Sequence, residues 1–274
     1  MRTNPFSGEF LVPGDPRFAV DIAQHLVPYY FCANRGQGLR LLEIGCGAGY
    51  GAHHLAQQAG EVHAYDRNPN AISWAGAHYK KNNLIFLLEG ADPEPEPESY
   101  DCVCSFQVLE HVSQPRPFLD RLASFLSPEG TLYLTTPNRL TSAGENIYHV
   151  HEYEPQELAE LLRGHFSGVT VLGITGDSRY RAYQERRHLA MRRFLRLDFL
   201  GLRRFTPRWV LKRLFPVLAL AVRGRANESS TAPPIEPGDF KVGPEMVDAS
   251  DDLFAICTGP MGYSRPHFPS TIQS

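Results

Sequence analysis

Leu41-Leu42-Glu43-Ile44-Gly45-Cys46-Gly47-Ala48-Gly49-Tyr50-Gly51 carries the reading of the fold. An apolar run holding one acid gives way to glycine at every second position. The run fits a buried strand, and the glycines fit a turn with little side-chain bulk. Glycine accepts positive φ and lets a ligand come close to the main chain. A helix expected from about Tyr50 to Ala59 would direct its first N–H groups at that ligand. The stretch predicts a nucleotide-type cofactor site at the edge of an α/β sheet.

Spacing narrows the cofactor. The dinucleotide fingerprint G-x-G-x-x-G, counted from Gly45, needs its third glycine at Tyr50, whereas the glycines here stand at 45, 47, 49 and 51. The run Glu-x-Gly-x-Gly-x-Gly instead resembles motif I of the class I S-adenosylmethionine (SAM) methyltransferases. Val62-His63-Ala64-Tyr65-Asp66 reads as a second strand ending in an acid, 21 residues after Gly45. A carboxylate there can accept two hydrogen bonds from a ribose diol. NAD and SAM sites share that device, so Asp66 alone does not separate them.

Later segments resemble the same family in the same order. Phe86-Leu87-Leu88-Glu89-Gly90-Ala91-Asp92 is similar to its third strand end, where an acid and neighbouring backbone contact adenine. Tyr100 to Val112 resembles strand 4 and its turn, and Phe118 to Gly130 the helix and turn before strand 5. Leu132-Tyr133-Leu134-Thr135-Thr136-Pro137-Asn138 resembles strand 5 with its Thr-Pro-Asn ending. Tyr148-His149-Val150-His151-Glu152-Tyr153 resembles the entry to the next helix. The resemblance covers about residues 8–175 and resumes at 236–260. It implies SAM as cofactor, with contacts from Glu43, Gly45, Cys46, Gly47, Gly49, Asp66, Arg67, Ala91, Asp92 and Gln107, the last on the methionine part.

Strands are expected at about 39–44, 62–66, 84–88, 101–106, 131–136, 168–174 and 253–258, with helices near 17–34, 50–59, 69–81, 115–126 and 155–165. This alternation predicts a doubly wound, mostly parallel seven-stranded sheet. The domains read as a cap helix in 1–38, a SAM-binding core in 39–175, a basic helical insertion with a Pro-rich linker in 176–250, and the final strand and tail in 251–274. The family joins its last two strands by a short hairpin. Here about 80 residues intervene, which should emerge near the substrate mouth. The cap helix is similar to a "His … Arg-Tyr-x-Phe-Ala" helix of a bacterial subgroup, with Tyr29, or Pro28 in the other register, at the arginine. Aromatic core packing accounts for Tyr29 equally well.

The chain has 274 residues and a net charge of −3. Its charge is unevenly spread: 14 Arg/Lys stand against Glu185 and Asp198 between Arg179 and Arg225, out of 27 basic residues in all. Within that block, Leu214 to Val222 is apolar and flanked by arginines. It suits a helical cap with a solvated basic face, or an interfacial segment on anionic head groups over about 190–225. The five cysteines lack paired spacing, and Met1 to Phe10 has no apolar core of a secretory signal, so a reducing, cytoplasmic setting is expected, with peripheral membrane contact open. The acidic Pro-rich run Ala91–Glu98 reads as a solvated loop.

Methyl transfer from a sulfonium is an in-line displacement, and a hydroxyl nucleophile benefits from a general base. His111, His149 and His151 should gather near strands 4 and 5. A helical turn brings His149 to Glu152, the preferred base-side pair, with His151 packing the loop. An extended segment would put His149 and His151 on one face. His111 reads as catalytic or as a structural histidine. Gln107, Glu110 and His111 stand at i, i+3, i+4, and quinone-biosynthesis O-methyltransferases carry Glu-x-x-Glu-His there, which can hold a metal. Gln107 removes one carboxylate, so no metal is expected.

The expected activity is SAM-dependent methylation of a small-molecule, glycan or lipid-linked hydroxyl. N- or C-methylation, an RNA-binding methyltransferase using the basic block, and a non-catalytic SAM-fold subunit are the alternatives. No Asn/Asp-Pro-Pro-Tyr/Phe motif follows strand 4, which argues against DNA as a partner.

Overall fold

The computed structural model describes residues 11–142, 146, 148–196 and 234–261. The cap helix α1 (Ala19–Ala33) follows a turn in which Asp15 accepts the Arg17 N–H at 3.0 Å. Then come β1 (Arg40–Ile44), α2 (Tyr50–Leu55), β2 (Glu61–Asp66), α3 (Pro69–His78) and β3 (Leu84–Leu88). β4 (Tyr100–Phe106), α4 (Pro115–Phe125), β5 (Leu126–Pro137), α5 (Pro155–Arg163) and β6 (Phe166–Gly176) continue the alternation. The chain closes with α6 (Ser178–Arg196), β7 (Phe240–Gly243) and β8 (Asp252–Pro260). Helix starts follow local chemistry. Asn68 accepts the Asn70 N–H ahead of Pro69, and Glu154 with Glu157 forms a capping box around Pro155.

One sheet runs in the order β3-β2-β1-β4-β5-β8-β6-β7. β8 is antiparallel to both β5 and β6, with Asp252 beside Pro137 and Ile174. Strand order reverses between β1 and β4, so the crevice at the C-terminal ends of these strands is the ligand position of a doubly wound sheet. Successive strand residues feed opposite faces. Leu41, Cys104, Tyr133 and Phe254 pack beneath α1 and α2. Leu42, Val103, Leu132, Leu134 and Ala255 pack beneath α4 and α5.

The sheet has eight strands where seven were expected. β7 lies in the stretch read as a Pro-rich linker and pairs with Gly173–Gly176. Four residues bounded by Gly and Pro give too short a period-2 signal to recognise. The helix after β1 is also shorter than expected, ending at Leu55. All five cysteines are buried and unpaired. Cys102 and Cys104 share one face, as their alternation predicts. The basic block from 197 to 225 lies outside the described residues. In its described part Arg179 pairs with Asp177 at 2.9 Å and with Asp239, and Arg187 reaches Asp21 at 3.2 Å. No helix among the described residues is long and apolar enough to cross a membrane.

Candidate active site

The glycine turn stands at the switch point. Gly45 and Cys46 both donate their N–H to the Tyr65 carbonyl, at 2.8 and 3.0 Å. Gly47 donates to Asp66 Oδ2 at 2.8 Å, and Asn68 to Asp66 Oδ1 at 2.7 Å. Asp66 is therefore clamped by main chain on both sides. A carboxylate offers about four acceptor directions, which leaves capacity for ligand hydroxyls.

Gly45, Gly47 and Gly49 have φ of 87°, 53° and 76°. A Cβ on Gly45 would meet Val108 Cγ2 at 2.4 Å, and one on Gly49 would meet the Phe86 ring at 2.6 Å. A Cβ on Gly47 would meet nothing within 4 Å. Two of these glycines thus serve close packing, while Gly47 borders open space where a ligand can reach the main chain. That opening, next to the Asp66 carboxylate, fits the ribose end of SAM.

Glu43 is fully buried behind the turn, where the Tyr29 hydroxyl donates to its Oε1. Its Oε2 has no hydrogen-bond partner among the described residues. Burial raises the Glu43 pKa to about 7, opposed by the Tyr29 bond and aided by the Asp66 charge. The Cys46 thiol is likewise pushed up by burial. Arg67 is exposed beyond Asp66. After β3, Ala91 and Asp92 donate to the Leu88 carbonyl at 3.1 and 2.9 Å, and Asp92 Oδ2 accepts the Leu88 N–H at 2.6 Å. Tyr29 packs edge-on to Phe106, with ring centroids 4.7 Å apart.

Gln107, at the end of β4, holds a left-handed φ of 55°. Its Nε2 reaches Thr135 Oγ1 at 3.4 Å. Glu110 instead accepts from Thr136 Oγ1 at 3.1 Å. Thr135 and Thr136 are neighbours on a strand and point to opposite faces. The expected common face of Gln107, Glu110 and His111 is therefore not formed: the left-handed residue breaks the turn, and the short 3-10 helix covers only Leu109–His111.

The structure brings Glu110, His111 and His149 together, with ligand atoms all within 4.8 Å of one another. A cation could bridge that spacing without Gln107. Burial raises the Glu110 carboxyl to about 8, so a cation there would have to displace its proton.

His149 Nδ1 lies 2.5 Å from Glu152 Oε1, the contact that turn geometry predicts. Asn146 Oδ1 accepts the Tyr148 N–H, so its Nδ2 donates to His149 Nε2 at 2.7 Å. The proton of neutral His149 therefore sits on Nδ1, facing Glu152. His111 Nδ1 reaches the Tyr148 carbonyl at 3.3 Å, and the His111 and His149 rings meet edge-on at 5.0 Å. Burial lowers the His111 pKa, opposed by its bond to the Tyr148 carbonyl and aided by the Arg67 charge. His151 points away to Glu157 at 2.6 Å and packs against Tyr153. The His149 bond lowers the Glu152 pKa.

Glu110 was read from sequence only as part of a possible acidic metal set, yet it anchors this loop. Its carbonyl accepts the N–H groups of Val150 and His151 at 2.7 and 3.2 Å. Asp252, beside Gln107, was missed. Nothing local in the sequence marks Asp252 or the anchoring role of Glu110, because their partners are distant in the chain.

The model of the methyltransferase domain family matches residues 17–170. A probable SAM-dependent methyltransferase of Mycolicibacterium smegmatis is 34% identical over 163 residues, covering 58% of this chain and 63% of that protein. A ubiquinone biosynthesis O-methyltransferase of Xylella fastidiosa is 30% identical over 176 residues, covering 57% of this chain and 70% of that one. The match thus spans less than two thirds of the mycobacterial relative. Among solved structures, a SAM-dependent methyltransferase of Thermotoga maritima, described as a possible histamine N-methyltransferase, aligns with a TM-score of 0.55. It is 16% identical, over 88% of this chain and 92% of that one, and shows the shared fold. The chain belongs to the methyltransferase domain family, within the class I SAM-dependent superfamily.

Proposed function

We propose that this chain transfers a methyl group from SAM to a hydroxyl of a small-molecule, glycan or lipid-linked acceptor. The observation that supports the acceptor half is the 2.5 Å contact of His149 with Glu152 beside the His111 ring. Bound SAM supplies an electrophilic methyl group on a sulfonium sulfur. Glu43, Gly45, Cys46, Gly47 and Gly49 shape the turn that receives it. Asp66 accepts ribose hydroxyls, with Arg67, Ala91, Asp92 and Gln107 around the rest of the cofactor.

On the acceptor side Glu152 keeps the His149 proton on Nδ1 and stabilises the imidazolium form. His149 Nε2 then takes the hydroxyl proton once the Asn146 amide yields its place. His111, its pKa lowered by burial and its Nδ1 toward the Tyr148 carbonyl, stands beside His149 as a second base. Positioning of the hydroxyl in line with the methyl group supplies the remainder. The step uses no metal. The Xylella relative, whose name is that of an O-methyltransferase, favours oxygen as the nucleophile.

The test is a turnover screen with SAM against sugars, phenols and lipid-linked alcohols, followed by mass spectrometry of the product. A methyl ether supports the reading. A methylated nitrogen or carbon in the product overturns the hydroxyl assignment.

A further inference from the structure

A polar chain joins α6, α1 and β8. Gln184 on α6 donates to the Tyr180 hydroxyl, which donates to Gln24 Oε1 on α1 at 2.7 Å. Gln24 Nε2 donates to Asp252 Oδ2 at 2.6 Å. The Gln107 side chain, bonded to Thr135 Oγ1, also faces the Asp252 carboxylate closely enough to interact with it. Each donor meets an acceptor, and the two ends fix the Gln24 amide in one orientation. Asp252 is 7% exposed and Tyr180 is 1% exposed. A buried chain of this kind transmits misfit, because an unmatched polar group inside a protein is costly.

The two ends of the chain are functionally placed. Gln107 is held in the left-handed region, and the next residue, Val108, lies against the glycine turn where a Cβ on Gly45 would stand. At the other end, Tyr180 is fixed by the start of α6, through which the chain enters the basic block. Asp177 accepts the N–H groups of Arg179 and Tyr180 at 2.9 and 3.0 Å. The Tyr180 ring packs on Phe240 of β7, with centroids 4.8 Å apart. The Arg187–Asp21 pair seats α6 on α1 a second time.

We infer that Gln24 and Asp252 are positioning residues that couple the seating of α6, at the root of the basic block, to Gln107 at the cofactor turn. The inference rests on the reading of that turn as the SAM site. A shift of α6 withdraws the Tyr180 hydroxyl from Gln24, frees the Gln24 amide to rotate, and loosens the donor that fixes the Asp252 carboxylate where it faces Gln107. Cofactor affinity thereby responds to whatever engages α6, and SAM in turn favours the seated helix.

The test is SAM titration by calorimetry on the full chain, with thermal unfolding as the control for folding. Tyr180→Phe removes one hydroxyl far from the turn, and it should weaken SAM binding about threefold to tenfold. Gln107→Ala should weaken it as well, and adding Tyr180→Phe to Gln107→Ala should weaken it no further. The exchange Gln24→Glu with Asp252→Asn rebuilds every bond with the charge moved one residue, and it should restore the affinity that Gln24→Glu alone loses. Full additivity of Tyr180→Phe and Gln107→Ala, or unchanged affinity in folded Tyr180→Phe, overturns the coupling. Asp66→Ala separates the two claims: if it leaves affinity unchanged, the cofactor site itself is misplaced.

Discussion

The ring of Tyr29 fills the space that a side chain at position 51 would need, since a Cβ on Gly51 would lie 2.0 Å from Tyr29 Cζ. The fourth glycine of the run is therefore there for the cap helix. Gly51→Ala should drive Tyr29 off Glu43 and cost about 1–3 kcal/mol of stability by overpacking. Gly47→Ala should act differently: its Cβ meets open space, so beyond the strain of a left-handed φ of 53° the loss falls on cofactor binding. Paired calorimetry and thermal melts on both variants check the contrast.

Asp66→Ala removes the proposed ribose acceptor. A lost charge-assisted hydrogen bond is worth about 1.5–3 kcal/mol, so SAM affinity should fall on the order of tenfold to a hundredfold. Asp66 also accepts the N–H groups of Gly47 and Asn68. Asp66→Asn keeps one acceptor oxygen and should fall between wild type and alanine. An unchanged dissociation constant in a folded alanine variant sinks the assignment.

Turnover should depend on His149 and His111 more than on His151. A general base contributes about 10²–10⁴-fold, and His151 is committed to Glu157 at the surface. Glu152→Gln should lower turnover while leaving SAM affinity intact, because it acts through His149. Dialysis against EDTA should change nothing. Near wild-type rates in all three histidine variants would leave positioning as the whole of catalysis.

Stability should fall as pH rises from about 4.5 to 8. Glu43 and Glu110 titrate near 7 and 8 in the folded chain, from an ordinary 4.5, and Asp252 near 7 from 3.8. Between those values the folded chain binds more protons than the unfolded one, so ionisation disfavours folding. Glu152, lowered by His149, has the opposite sign, and its contribution is lost only at acid pH. Melting temperatures from pH 5 to 8.5 should decline, less steeply in Glu110→Gln. A rising curve contradicts the burial of these acids.

The basic block should bind vesicles containing anionic lipid and ignore neutral ones, with binding weakened by salt. Co-sedimentation reads this directly. If neither vesicle type is bound, the block acts as a cap over the acceptor, and deleting 197–225 should abolish turnover while leaving SAM affinity measurable.

The fold was legible where pattern is local. Leu41–Ile44 and Val62–Asp66 announce strands by apolar runs that stop at an acid or glycine, and Asn68-Pro69 and Glu154-Pro155 announce helix starts. The His149–Glu152 contact followed from a three-residue spacing. What was not legible depends on partners far along the chain. Gln107 joins Asp252 because β8 returns between β5 and β6, and Glu110 is buried because Thr136 and the loop after Tyr148 close over it. Gly51 reads as part of a ligand turn until Tyr29 is seen against it. β7 has too few residues to carry a period.

Five buried, unpaired thiols make the chain its own reporter of motion. A thiol reagent attacks only an exposed thiolate, and burial denies these side chains both exposure and ionisation. Labelling rates therefore measure opening. Cys32 on α1 marks the moment the cap helix lifts, whereas Cys104 and Cys257 mark disruption of the central strands. Resolved by mass spectrometry, with and without SAM, the same five atoms map which layer of the molecule the cofactor locks.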